Sequence, residues 1–158
     1  MRRVVHPAIV GVRPIQGKAT RRTGKAARSV SPTQSSKNET APIMDKAYTD
    51  RTWQTGDGLT LHYRDYPASE GADPSRPPII CLHGLTRNAR DFADLAEHLA
   101  GEWRVLVPEM RGRGDSDYAT DPASYAVPTY VGDLVALLED QGIDRFVSIG
   151  TSMGGIIT

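Results

Sequence analysis

Phe146-Val147-Ser148-Ile149-Gly150-Thr151-Ser152-Met153-Gly154-Gly155 is a short β-rich run that ends in glycine, leaves Ser152 alone in the turn, and opens the next segment with two glycines. The G-x-S-x-G spacing has a steric meaning. A strand that turns at once into a helix forces the turn residue into a strained backbone, and only small neighbours, here Gly150 and Gly154, let the chain pass so near itself. That strain would hold Ser152 Oγ out at the tip of a sheet. The amide of Met153, at the N-terminus of the new helix, would then point to where a tetrahedral oxyanion forms. A glycine-rich strand–helix turn with an ordinary surface serine is the plainer alternative, so the decision rests on what stands upstream.

Working back from the elbow, strand and helix patterns alternate. Val131, Leu134, Val135 and Leu138 form an apolar stripe on a helix that starts near Val127, with Pro128 in its first turn and Gly142 as its stop. Before it, Trp103 to Val107 is an apolar strand closed by Pro108. Asn88 caps an earlier helix whose Phe92, Leu95, Ala96 and Leu99 share a face and which Gly101 ends. Pro78 to Leu82 is an unbroken apolar run, suited to a parallel strand covered on both faces. His83-Gly84-Leu85 follows at the C-terminal end of that strand, where ligands bind in α/β sheets. Further upstream, Thr52 to Thr55, Gly56-Asp57-Gly58 and Leu59 to Tyr63 spell strand, turn, strand, with Leu59, Leu61 and Tyr63 on one face. The expected fold is α/β: a β-hairpin followed by a parallel β-α-β-α-β sheet, the last strand delivering Ser152.

With these residues in place the chain resembles the α/β-hydrolase superfamily. The resemblance rests on Cys81-Leu82-His83-Gly84-Leu85, on Pro108-Glu109-Met110-Arg111-Gly112-Arg113-Gly114-Asp115-Ser116, and on the Ser152 elbow, in that order. The branch it looks most like is the serine esterase, lactonase and C–C-bond hydrolase group. Epoxide hydrolases and haloalkane dehalogenases are similar upstream but carry aspartate at the nucleophile position. The resemblance runs from about Thr52 to Thr158, and the chain is expected to be an N-terminal fragment of the fold, truncated after the nucleophile elbow.

The resemblance implies two-step acyl transfer from an ester, lactone or related small carbonyl substrate. Ser152 would attack, and the backbone amides of Leu85 and Met153 would hold the oxyanion. Gly84, Gly150 and Gly154 would let the backbone close around it. No residue matches the family's acid or its histidine. His83 is expected to orient its loop rather than act as base. An inactive fragment, or a non-catalytic binder on the same sheet, is the competing class. No metal or other cofactor is expected. Asp115 and Asp117 lack the remaining ligands of a calcium loop, and Arg111 and Arg113 lack a phosphate-cradling strand–helix turn, so the Met110 to Asp117 loop is expected to be structural. His62 and His98 read as surface residues without partners.

Charge divides the chain. Residues 1–38 hold nine Lys/Arg and no acid, leaving ten Lys/Arg against nineteen Asp/Glu in 39–158, so a formal net charge of zero hides +9 and −9. The basic, Arg- and Ser-rich leader, 1–43, follows no sustained apolar period and is expected to be disordered, with a partial hydrolase domain over 44–158. Three origins fit the leader: a start upstream of a natural Met44, organellar targeting, or a basic binding tail. No aromatic is interleaved among its basic residues, so no nucleic-acid partner is expected. The single cysteine, Cys81, excludes an intrachain disulfide and permits a reduced compartment. No run reaches transmembrane length. The expected location is cytoplasmic.

Overall fold

The structure, a computed structural model, describes residues 47–158, and everything said of structure below concerns those residues. The expectations for the leader and for a start at Met44 lie outside them.

A five-stranded mixed sheet carries the fold. Strands β1 (Thr49–Gln54) and β2 (Thr60–Tyr66) form the expected hairpin, paired antiparallel from Thr49↔Asp65 to Gln54↔Thr60. Strands β3 (Ile79–Leu82), β4 (Val105–Pro108) and β5 (Val147–Gly150) are mutually parallel, and the order across the sheet is β1-β2-β4-β3-β5. Gly58, at φ +87°, supplies the left-handed step of the hairpin turn.

The apolar runs are explained by the two faces they cover. Along β3 and β4, Ile80, Leu82 and Leu106 point to one face, where helix α2 (Val127–Asp140) and the short α3 (Met153–Ile157) bring Tyr130, Leu134, Leu137 and Met153. Ile79, Cys81, Val105 and Val107 point to the other, against Phe92 and Ala96 of the α1 region (α1, Ala93–Leu99). Each Val, Leu, Ile, Phe or Met among them, fully buried, is worth about 1.5–3 kcal/mol of transfer free energy. Cys81 is completely buried, and burial pushes its thiol up to about 12, so it is a small core residue and not a nucleophile.

Three expectations are corrected. On α2 the buried face is Tyr130, Asp133, Leu134 and Leu137, while Val131 and Val135 are 39% and 46% exposed. The helix is turned because Asp133 is drawn inward. Its carboxylate takes a fork from Arg111 (2.8 and 2.6 Å), and its carbonyl accepts the Trp53 indole N–H at 2.9 Å. On α1, Phe92 and Ala96 are buried as expected but Leu95 faces solvent, because Ala89–Phe92 forms a 3₁₀ turn whose tighter winding brings Ala89 inward with them. Finally, His62 is neither exposed nor unpartnered. It is 5% exposed, with Nδ1 3.0 Å from Glu109 Oε2 and Nε2 3.0 Å from Asp50 Oδ1. The face of β2 opposite Leu61 and Tyr63 is covered as well, since Tyr66 on it is buried in the core cluster with Val105 and Val107.

Candidate active site

The elbow is built by close approach. Strand β5 ends at Gly150, and Thr151 N–H donates to the Leu82 carbonyl at 3.1 Å, fastening the turn to the end of β3. Ser152 then takes φ 53°, ψ −117°, the one positive φ among the described non-glycine residues. That conformation costs an L-residue on the order of 1–3 kcal/mol and persists only where the surroundings over-determine it. A Cβ on Gly150 would overlap the backbone of Gly154 and lie 2.6 Å from Gly155 N. On Gly154 it would overlap the Leu82 carbonyl and come 2.6 Å from its carbon. Both glycines are therefore demanded by packing.

Ser152 is exposed, and its side chain makes no cap bond to α3, so Oγ is not spent on holding the helix. Met153 is the first residue of α3. Its N–H belongs to the set a helix cannot satisfy from within, while its side chain is buried in the core. Gly84 is buried and lies beside the elbow: a Cβ there would sit 3.5 Å from Ser152 Cβ and 3.7 Å from the Thr151 carbonyl oxygen. Leu85 is 50% exposed. The structure thus brings the His83-Gly84-Leu85 loop and the Ser152 elbow together at the C-terminal ends of neighbouring strands β3 and β5.

His83 is fully buried, and its bonding fixes its tautomer. Nε2 lies 3.1 Å from the Met110 N–H, which can only donate, so Nε2 accepts and Nδ1–H donates to the Gly84 carbonyl at 2.8 Å. Burial lowers its pKa, which suits a neutral ring. With both nitrogens engaged, His83 has none left for Ser152. The same holds for His62, whose two nitrogens face carboxylates, and His98 is exposed on α1. Neither described histidine with a buried ring offers Ser152 a base.

Beneath the site, the loop after β4 behaves as a buried polar frame. Glu109 Oε1 accepts Ala89 N–H (2.9 Å), and Oε2 accepts Asp115 N–H (2.8 Å) and the His62 ring. Burial would raise its pKa, but these donors outweigh it and the net shift is downward. Ser116 Oγ donates to Glu109 O and accepts His62 N–H (2.7 and 2.8 Å), and Asp117 Oδ2 accepts Thr60 N–H at 2.8 Å. Arg111, 1% exposed, is shared between Asp133 and Asp57. Its hydrogen bonds hold the Asp57 carboxyl down to about 2. His62, Glu109 and Asp115 stand close enough to invite a metal, yet the Glu109 oxygens are already occupied by N–H donors. Sequence reasoning placed this loop but missed Glu109 and His62 as its hub. Gly114, at φ +54°, shows how closely the loop wraps that hub, since any Cβ there would overlap the Glu109 carboxylate.

Residues 77–158 match the family model for the alpha/beta hydrolase fold. Over 98 residues the chain is 44% identical to a 3-hydroxybutyrate-oligomer hydrolase of Cupriavidus necator, covering 61% of this chain and 33% of that protein. It is 32% identical over 101 residues to epoxide hydrolase 2 of Siraitia grosvenorii, covering 63% and 30%. A crystal structure of an alpha/beta hydrolase from Novosphingobium aromaticivorans superposes with a TM-score of 0.66 at 62% identity, over 70% of this chain and 38% of that one. The chain therefore spans about a third of the length of the curated relatives it matches. No helix among the described residues is long and apolar enough to cross a membrane.

Proposed function

This chain belongs to the α/β-hydrolase fold family, and from that premise we propose that Ser152 is the nucleophile of a serine hydrolase acting on a small ester or related carbonyl compound. The strained backbone of Ser152 carries the reading, since it presents Oγ at the sheet's end without spending it on a cap. In the proposed step Oγ adds to the carbonyl carbon, its proton passes to a base, and the carbonyl oxygen gathers charge. The amides of Met153 and Leu85 receive that oxyanion. The alcohol then leaves with a proton, and water releases the acyl group. A serine, rather than an aspartate, at the elbow favours acyl transfer over epoxide opening. The relative named for 3-hydroxybutyrate oligomers supports an ester as substrate class.

Because neither His62 nor His83 can serve Ser152, the chain alone should acylate slowly. A triad-deficient site of this kind retains on the order of a thousandfold over water from its oxyanion hole and binding. With p-nitrophenyl butyrate, the expected result is slow release of nitrophenol, lost in Ser152→Ala. Release that Ser152→Ala leaves unchanged would instead favour the non-catalytic class.

A further inference from the structure

The loop that carries Leu85 is fastened from outside its own strand. At its start His83 Nδ1–H holds the Gly84 carbonyl at 2.8 Å, and because the peptide is planar and trans, this aims the Leu85 N–H the opposite way. At its end Glu109 holds Ala89 N–H at 2.9 Å. Between these ties Leu85 is half exposed, and the next peptide plane is held by one side chain: Arg113 Nε–H donates to the Leu85 carbonyl at 2.5 Å, while Nη1–H donates to the Gly112 carbonyl at 3.0 Å.

The backbone that carries Arg113 is closely packed. Gly112 (φ +70°) and Gly114 (φ +54°) flank it, and each packs where a Cβ would not fit: at Gly112 it would lie 2.9 Å from Tyr125 Cε1, and at Gly114 it would overlap Glu109. The guanidinium is spent on two carbonyls, a use that suits its planar, forked donors better than the point charge of lysine.

We propose that Arg113 is a positioning residue for the Leu85 amide. The Leu85 N–H lies in the peptide plane that His83 holds, and Arg113, by holding the plane after it, keeps the φ and ψ of Leu85 from relaxing and so keeps that first plane from turning. The proposal rests on the reading of Leu85 as an oxyanion donor.

The test uses the full chain with Arg113→Met, which keeps the apolar stem and removes the donors, and with Arg113→Lys. Amide exchange across residues 84–87 reports the clamp. Inactivation by a fluorophosphonate reports its use: the Ser152 Oγ–P bond forms as P–F breaks, and fluoride leaves with the serine proton. Arg113→Met should speed exchange at 84–87 about tenfold with β3 unchanged, and lower the maximal inactivation rate about tenfold at unchanged half-saturating concentration. Arg113→Lys should recover part of both. Unaltered exchange at 84–87 in Arg113→Met overturns the clamp, and a loosened loop with an unaltered inactivation rate overturns its service to the oxyanion. A wild-type chain that takes no adduct counts against the reading of Ser152, while the exchange arm still decides the clamp.

Discussion

A carboxylate on the inner face of a helix is costly unless something pairs it, and Asp133 is paired by Arg111 with both at most 4% exposed at the side chain. Arg111→Met should therefore destabilise the chain by about 3–5 kcal/mol, because it strands a buried charge. Asp57→Asn should cost far less, since its side chain is 51% exposed. Chemical denaturation of both variants checks the contrast, and equal losses would show that the burial of Asp133 is not what matters. The elbow glycines are a second residue-scale case. Gly154→Ala places a methyl onto the Leu82 carbonyl, and overpacking of this kind costs about 1–3 kcal/mol or more. Gly132→Ala, on α2, meets nothing within 4 Å and should be neutral or stabilising. Thermal melts that rank these two variants the other way would refute the close-approach argument.

At the scale of elements, several bonds latch the hairpin to the loop after β4, and one of them runs through a ring that can titrate. His62 on β2 stands between Asp50 of β1 and Glu109, with Asp115 close by. Both of its nitrogens face carboxylate acceptors, which favours the imidazolium, and its pKa is raised, foremost by the bond to Glu109. A group whose folded pKa lies above its unfolded value stabilises fully below the unfolded value, about 6.5 for histidine, and loses that contribution as pH rises through the folded one. Glu109 has the opposite sign. Its folded pKa is lowered, so its contribution holds above the ordinary carboxylate range and fades as pH falls. Stability should thus decline as pH rises above about 6.5, and His62→Gln should flatten that decline. Melting curves for the two proteins from pH 6 to 9 check this, and parallel slopes would show that the latch does not titrate there. The latch also marks the limit of what the sequence could disclose. The hairpin, the three parallel strands and the Ser152 turn were legible because local chemistry decides them: Asp-Gly for the turn, unbroken apolar runs for covered strands, small residues around a strained serine. The inward face of α2 and the burial of His62 were not, because partners distant in the chain decide them, Arg111 for Asp133 and Glu109 for His62. An apolar-periodicity argument has no means of turning an acid inward.

In the molecule as a whole, apolar surface gathers at one end of the sheet. Strand β5 has β3 as its only partner among the described strands, and Val131, Val135, Leu138, Phe146 and Ile157 line a cavity of about 330 Å³ beside it. Val147 N–H donates to Pro78 O at 2.9 Å, so by the two-residue period of a strand the Ser148 N–H turns to the open side. An unpaired strand flank next to exposed apolar side chains is a template for intermolecular pairing. The chain should self-associate with rising concentration, and the Ser148 amide should exchange faster than that of Val147. A monomer at all concentrations in sedimentation, with both amides equally protected, would count against this. Everything said of function, by contrast, converges on one oxygen atom. If the strain at Ser152 serves chemistry, a fluorophosphonate incubated with the full chain should leave a single phosphonyl adduct, assigned by peptide fragmentation to Ser152 and lost in Ser152→Ala. An adduct on another residue, or an equal yield from Ser152→Ala, would mean that the elbow is not a nucleophile's seat.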